Sequence, residues 1–296
     1  MSFLTRTGKP LPKSILDSAE AAKRDPVNRR EFLALASAFG ATTATAYAMI
    51  GMPAPAFAAA HKEGGTVRMQ MEVRALKDPR TYDWSQIANF SRGWLEYLAI
   101  WENDGTFTPA LLESWEINDD ATEYTLNVRK GVTWNDGTPF TAADVVRNII
   151  GWCDKSVEGN SMAGRFATLI DEETGQAIDG AITAVDDHTV KLALPRPDIT
   201  LIPGMADYPA AIVPEGFDAE TMLENPVGTG AYLPESLEVG VKSVLVKNTD
   251  HKWWGTEVYG GPYIDRLEYI DYGTDPSAFV AAAEAEEIDA TYSIEG

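Results

Sequence analysis

Residues 115–146 read WEINDDATEYTLNVRKGVTWNDGTPFTAADVV, and the order of strands, turns and caps in this stretch decides the fold class. Glu113 to Ile117 and Glu123 to Arg129 flank the polar turn Asn118-Asp119-Asp120, with Tyr124, Leu126 and Val128 alternating against Thr125, Asn127 and Arg129. An apolar–polar period of two on either side of a turn predicts a β-hairpin. Asn135-Asp136-Gly137 is a second tight turn, in which glycine supplies a backbone conformation that other residues resist. Thr141-x-x-Asp144 then opens a helix. The threonine hydroxyl can accept the amide three residues on, and Asp144 sits where the helix dipole favours an anion. Val145, Val146, Ile149 and Ile150 continue that helix.

The pattern extends in both directions. Thr66 to Val73 alternates Val67, Met69, Met71 and Val73 against polar neighbours, a half-buried strand that Asp78-Pro79 brings to a stop. From Ser85 to Trp101 the set Ile87, Phe90, Trp94, Leu95, Leu98 and Trp101 recurs at helical spacing, so a helix is expected over much of that span. Ile182–Val185, Asp186-Asp187 and Thr189–Leu194 predict a second hairpin. Asp275-Pro276 opens a further helix to about Glu287, with aspartate as the cap and proline in the first turn. The chain is therefore mixed α/β.

At 296 residues, 45% hydrophobic and 23% charged, the composition is that of a soluble globular protein with room for two ordinary domains. Twenty-four Lys and Arg against 45 Asp and Glu give a net charge of −21. That balance repels phosphate backbones and anionic lipid headgroups, so no nucleic-acid partner is expected. The single cysteine, Cys153, has no partner for an internal disulfide and reads as a small buried hydrophobe. His61, His188 and His251 lie far apart, without the spacing of a metal site. A nucleophile elbow, a phosphate-binding P-loop and a dinucleotide fingerprint are all missing from the sequence. Gly228-Thr229-Gly230 lacks the lysine and the strand–helix frame of a phosphate loop. Neither a cofactor, a metal nor an enzymatic activity is expected.

The N-terminal segment has a different character. Asn28-Arg29-Arg30-Glu31-Phe32-Leu33 precedes a mildly apolar, alanine-rich run from Leu33 to Met52, and Pro53 to Ala58 closes it with Ala56-x-Ala58, small residues at both subsites of a signal-peptidase cut. Paired arginines before Phe-Leu and a weakly hydrophobic run resemble a twin-arginine export signal. Residues 1–58 are accordingly expected to be a signal peptide read by the twin-arginine translocase, and residues 59–296 a periplasmic mature chain. Gly40, Thr42, Thr43 and Thr45 make the run a poor membrane span, and no cysteine lies near the cut to carry lipid. The segment holds seven basic and four acidic residues, so its removal leaves the remainder still more acidic.

The block at 115–146 resembles the signature of the dipeptide/oligopeptide/nickel class of periplasmic solute-binding proteins (family 5), the ligand-capturing subunits of ABC importers. Further landmarks follow in order: Val185-Asp186-Asp187-His188-Thr189-Val190, Asn225-Pro226-Val227-Gly228-Thr229-Gly230-Ala231-Tyr232, Asn248-x-x-His251-Lys252-Trp253-Trp254-Gly255, Ile264-Asp265-Arg266-Leu267, and Glu287-Ile288-Asp289 with Glu286 where the family carries glycine. The resemblance implies an α/β fold of the type II periplasmic-binding-protein kind, here as a first lobe over 59–296 with a smaller subdomain inserted at about 94–190 and the second lobe missing. It implies a substrate-binding component that captures peptides or similar small solutes in the periplasm, with the importer's permease and ATPase as partners. It also places the loop after Asp78-Pro79 at the ligand, through Tyr82, Asp83, Trp84 and Ser85. There Asp83 is expected to take an ammonium group, and Trp84 either to offer a stacking face or to act as a staple at the helix entry. The stretch 160–166, with Met162 and Arg165, is a second candidate wall by family position, where Arg165 either pairs with a ligand carboxylate or stands as a solvated arginine. The competing reading, a secreted non-transport protein or enzyme using the same export route, would need a nucleophile–base pair, metal cluster or cofactor loop that the sequence does not offer.

The export assignment has a direct test. A twin-arginine receptor reads guanidinium geometry that an ammonium lacks, so changing both Arg29 and Arg30 to Lys is expected to leave precursor in the cytoplasm. Fractionation of cells making either form measures this, and an unchanged periplasmic yield would refute the signal.

Overall fold

The computed structural model describes residues 3–55 and 61–292. The proposed cleavage residues Ala56 and Ala58 lie outside the described residues. Among the described residues eleven strands are assigned: β1 Thr66–Gln70, β2 Ala99–Trp101, β3 Phe107–Pro109, β4 Leu112–Ile117, β5 Glu123–Val128, β6 Ile182–Asp186, β7 Thr189–Ala193, β8 Tyr232–Glu238, β9 Lys242–Lys247, β10 Arg266–Ile270 and β11 Ala290–Thr291. The chain divides into two compact units. One comprises Met1–Ala58, Tyr97–Lys130 and Thr141–Ala210; the other comprises Ala59–Glu96, Gly131–Phe140 and Ala211–Gly296.

In the first unit both expected hairpins join one antiparallel sheet of order β4-β5-β7-β6, beside a two-stranded ribbon β2-β3. The β4–β5 turn closes because the Asn118 side chain saturates it. Its Oδ1 accepts the amides of Thr122 at 2.8 Å and Glu123 at 2.9 Å, while Nδ2 donates to Thr122 Oγ1 at 2.9 Å. Tyr124 and Leu126 stand opposite Leu192 and Val190, and all four are buried. The helix Ala142–Trp152 starts at the expected capping box, where the Thr141 amide donates to Asp144 Oδ2 at 2.9 Å. It packs on β6 and β7. The face it buries is Val145, Ile149 and Trp152, whereas Ile150 is 42% exposed. At 100° per residue Ile150 turns away from the face that Val145 and Trp152 share.

Residues 3–55 fold as part of this unit, with helices Lys13–Ala22, Pro26–Ala38 and Thr43–Met49. Ile15, Phe32, Leu33, Phe39 and Tyr47 form their buried cluster, and Ile117 of β4 packs against it. Polar contacts fix the segment to the sheet. The Ser37 hydroxyl donates to Leu33 O and accepts the Phe107 amide, both at 2.8 Å, and the Trp115 indole donates to Ala38 O at 2.7 Å. Arg29 is half-buried and Arg30 exposed. Among the described residues no helix is long and apolar enough to cross a membrane.

The second unit is built on a five-stranded mixed sheet of order β11-β1-β10-β9-β8. β1 runs parallel to both β10 and β11, and the remaining pairs are antiparallel. Phe90 meets Trp94 and Tyr269 edge-on, at centroid separations of 5.5 and 6.4 Å, in its core. The long helix expected from Ser85 to Trp101 is corrected here, because the helix stops at Ser91. Helical spacing of buried residues had a tertiary origin: Trp94 and Leu95 are fully buried, but the carbonyls of Gly93 and Trp94 are taken by another segment. Gly230 N donates to Trp94 O at 3.0 Å and Tyr232 N to Gly93 O at 2.9 Å. The helix at the far end of the unit, Pro276–Glu284, begins as expected with Asp275 accepting the Ser277 amide, and ends three residues early.

Two glycines test these turns differently. Gly137 holds φ +90, and a β-carbon added there would meet nothing within 4 Å, so its cost on substitution is conformational alone. At Gly228 a β-carbon would lie 1.9 Å from Trp94 O. Gly137→Ala is expected to cost about 1–2 kcal/mol, and Gly228→Ala at least about 3 kcal/mol, since backbone cannot be repacked as a side chain can. Urea unfolding followed by tryptophan fluorescence measures both; equal losses would show that the close approach is not what makes Gly228 a glycine.

Candidate functional site

The loop that follows β1 is organised by three carboxylate–cation pairs. At its start, Glu72 Oε2 holds the Arg74 guanidinium at 3.0 Å, and the intervening Val73 amide is fixed by Asp271 Oδ2 at 2.7 Å. Asp78 next caps the short 3-10 turn Pro79–Thr81, accepting the Arg80 amide at 3.0 Å and gripping the Arg80 guanidinium at 2.6 Å. Lys77 Nζ reaches Asp83 at 2.8 Å. The Asp-Pro turn thus brings the residues on either side of it together, which is the local reason that 82–85 emerges where it does.

Of the four residues expected at a ligand here, the structure gives each a different role. Tyr82 is buried, 1% exposed, and serves to anchor the loop. Asp83 is well exposed but already carries Lys77. Trp84 occupies the position before the helix Ser85–Ser91 and is 48% exposed, with the Arg74 guanidinium carbon 4.1 Å from its ring centroid. Ser85 Oγ lies 2.7 Å from the Tyr292 hydroxyl. Arg74 and Lys77 were not singled out from sequence. The available signal was faint: charges alternating in sign beyond the end of a strand.

The second expected wall belongs to the first unit. Met162 is completely buried and so presents no surface to a solute. Arg165 directs Nε and Nη2 to Asp207 Oδ2 at 2.6 and 2.5 Å, and Nη1 to Ser161 O at 2.8 Å. Its planar fork, expected to receive a ligand carboxylate, is filled by a carboxylate of its own chain.

Elsewhere the polar chemistry is spent on the fold. Glu96 accepts the indole N–H of Trp253 at 2.9 Å and of Trp254 at 2.6 Å, so the paired tryptophans are braced on one carboxylate. His188 sits in the β6–β7 turn, its carbonyl accepting the Val128 amide at 2.8 Å. Burial pushes the Cys153 thiol up to about 12, which keeps it protonated at neutral pH. Among the described residues no group of three or more His, Cys, Asp or Glu is placed to hold a metal ion.

The family profile described as bacterial extracellular solute-binding proteins, family 5 (middle), matches residues 106–295. The chain is 28% identical over 233 residues to the periplasmic oligopeptide-binding protein OppA of Salmonella typhimurium, covering 75% of this chain and 41% of that protein. It is 32% identical over 218 residues to the periplasmic murein peptide-binding protein MppA of Escherichia coli, covering 66% and 39% respectively. The solved structure of the Escherichia coli murein tripeptide binding protein MppA superposes with a TM-score of 0.65 at 25% identity, over 78% of this chain and 46% of that one. The chain therefore spans less than half the length of these relatives.

The Lys77–Asp83 pair makes a measurable prediction. The hydrogen bond from Lys77, with its charge, holds the Asp83 carboxyl below its ordinary value of 3.8. The pair therefore stays charged throughout the range above that value and is lost only as pH falls through the lowered one. A carbon-13 titration of the Asp83 carboxyl should give a midpoint below 3.8, and Lys77→Gln should move it upward. A wild-type midpoint at or above the ordinary value would show that the two groups do not pair in solution.

Proposed function

The chain belongs to the bacterial extracellular solute-binding proteins of family 5, and on that premise we propose that it is the substrate-binding component of an ABC importer, capturing peptides or similar small solutes in the periplasm. The observation that carries this reading is the family match over residues 106–295. The permease and ATPase of the importer are its partners in this reading, and the twin-arginine translocase is the route by which residues 1–58 deliver it. The relatives named above, described as peptide-binding, support peptides as the first solute class to test.

The mechanism is one of contact and population. No bond is made or broken; a solute that favours one conformation of a binding protein shifts the population toward it by its differential affinity, and the transporter reads that conformation. The wall offered by this chain is the 72–86 loop. Its half-exposed Trp84 gives an aromatic face, and Asp83 and Ser85 flank that face with polar groups. Tyr82 contributes by anchoring the loop from beneath.

Calorimetric titration of the chain with a library of tri- to pentapeptides tests the proposal. Binding of at least one class is expected, and Trp84→Ala should weaken it by about 1–2 kcal/mol, roughly five- to thirtyfold, through lost aromatic contact. Loss of the gene should correspondingly abolish uptake of that peptide class by cells. Titrations without heat for any peptide, together with unchanged peptide uptake, would overturn the assignment.

A further inference from the structure

The sequence places a stacking face and an ammonium acceptor side by side, Trp84 and Asp83, which describes a wall that welcomes cations. In the structure both positions are taken by cations of the chain itself. The Arg74 guanidinium carbon stands 4.1 Å from the Trp84 ring centroid, and Lys77 Nζ lies 2.8 Å from Asp83. A cationic solute would have to displace a tethered competitor at each point, and a tethered group competes at a high effective concentration.

Arg74 is the group left with binding capacity. A guanidinium offers five N–H donors in a planar fork. The contact to Glu72 at 3.0 Å engages Nη2, and Nε is shielded from solvent, so an acceptor would have to meet the terminal Nη groups. About a third of the Arg74 side chain faces solvent. Stacking on Trp84 fixes the plane of the fork, so little rotamer freedom is lost when an acceptor arrives. Lys77 is committed to Asp83, and Arg80 is held by Asp78 at 2.6 Å. Each of the three carboxylates within 72–86 has a resident cation, and the neighbouring Asp271 is engaged by the Val73 and Gly273 amides.

We propose that Arg74, seated on Trp84, is a specificity-determining residue that receives a carboxylate of the solute, so that this wall selects for an acidic group rather than for a cationic one. The inference rests on the solute-binding reading above and on the 72–86 loop as the wall. The carboxylate can come from the C-terminus of a peptide or from an acidic side chain, and both sources present the same planar acceptor to the fork.

Three probes separate the sources: Ala-Ala-Ala, its C-terminal amide, and the amide of Ala-Glu-Ala, each titrated into the full chain by calorimetry at 0.15 M salt. If the C-terminus is the source, the tri-alanine amide should bind about tenfold more weakly than the free acid, the scale of one charge-assisted hydrogen bond. If a side chain serves equally, the Ala-Glu-Ala amide should recover that loss. Arg74→Gln should flatten the differences among the three probes to within about twofold, while its far-ultraviolet spectrum and unfolding midpoint stay near those of wild type. Lys77→Gln should leave the preference in place, which distinguishes Arg74 from a general effect of positive charge. Equal binding of all three probes to wild type, or a preference that survives in Arg74→Gln, would overturn the inference and leave the solute-binding reading intact. Binding of none of them, and of no other peptide in the library, would overturn both.

Discussion

The second unit depends on one backbone-to-backbone approach. Gly228-Thr229-Gly230 passes so close to Gly93-Trp94 that a β-carbon on either flanking glycine would fall inside a carbonyl: 1.9 Å from Trp94 O at position 228 and 2.5 Å from Gly93 O at position 230. Hydrogen bonds make the approach cohesive, with Gly230 N and Tyr232 N donating to the carbonyls of Trp94 and Gly93. The turn at Asn135 is tied to the same place. Its amide donates to Gly228 O and its Nδ2 to Pro226 O, both at 2.8 Å. Three stretches separated by dozens of residues thus meet at one point, and two of them are landmarks noted in the sequence, the Trp-Asn-Asp-Gly turn and the Pro-x-Gly-Thr-Gly turn. Their residue types are dictated by this junction. Glycine is needed where backbones touch, and asparagine where a short side chain must accept and donate at once.

This explains which parts of the molecule were legible in the sequence. The two hairpins, the capped helix at Thr141 and the Asp275-Pro276 helix start were readable because each is determined locally, by a period of two, a reciprocal cap or a fixed proline dihedral. The stretch 85–101 was misread because its buried residues obey a tertiary rule. Gly93 and Trp94 give their carbonyls to a segment more than a hundred residues away, while the buried Trp94 and Leu95 keep a spacing that imitates a helix. The N-terminal stretch shows another limit. Its arginine pair and alanine run have the composition of an export signal, and the same alanines pack as small residues in a helical cluster on the first unit. Composition alone does not separate the two, since both need small apolar side chains.

The candidate wall was half legible. The Asp-Pro break announced a loop, and the exposed indole within it followed from Trp84 standing before a helix. Residue types also suggested what each side chain could bind, but pairing decides whether that capacity is free. Asp83 and Arg165 are each matched by an opposite charge from their own unit, Lys77 and Asp207. Neither partner adjoins its mate in sequence; Asp207 lies some forty residues from Arg165. A reading of single residues assigns them to a ligand, whereas a reading of pairs assigns them to the loop and helix they hold.

The charge of the loop bears on how such a wall could discriminate at all. In a chain of net charge −21, residues 72–86 carry three cations and three carboxylates, and every carboxylate is paired: Glu72 with Arg74, Asp78 with Arg80, Asp83 with Lys77. Over distances beyond about 8 Å at physiological salt the rest of the protein's negative field is largely screened. The acidic surface therefore favours solubility, while at a range of a few ångströms the charges of this loop are matched within it, which is the setting in which the proposed recognition would act. Under those conditions the side chains that matter are the ones whose hydrogen-bonding capacity the fold has not already used. That criterion sets the stacked guanidinium of Arg74 apart from the better-exposed Asp83.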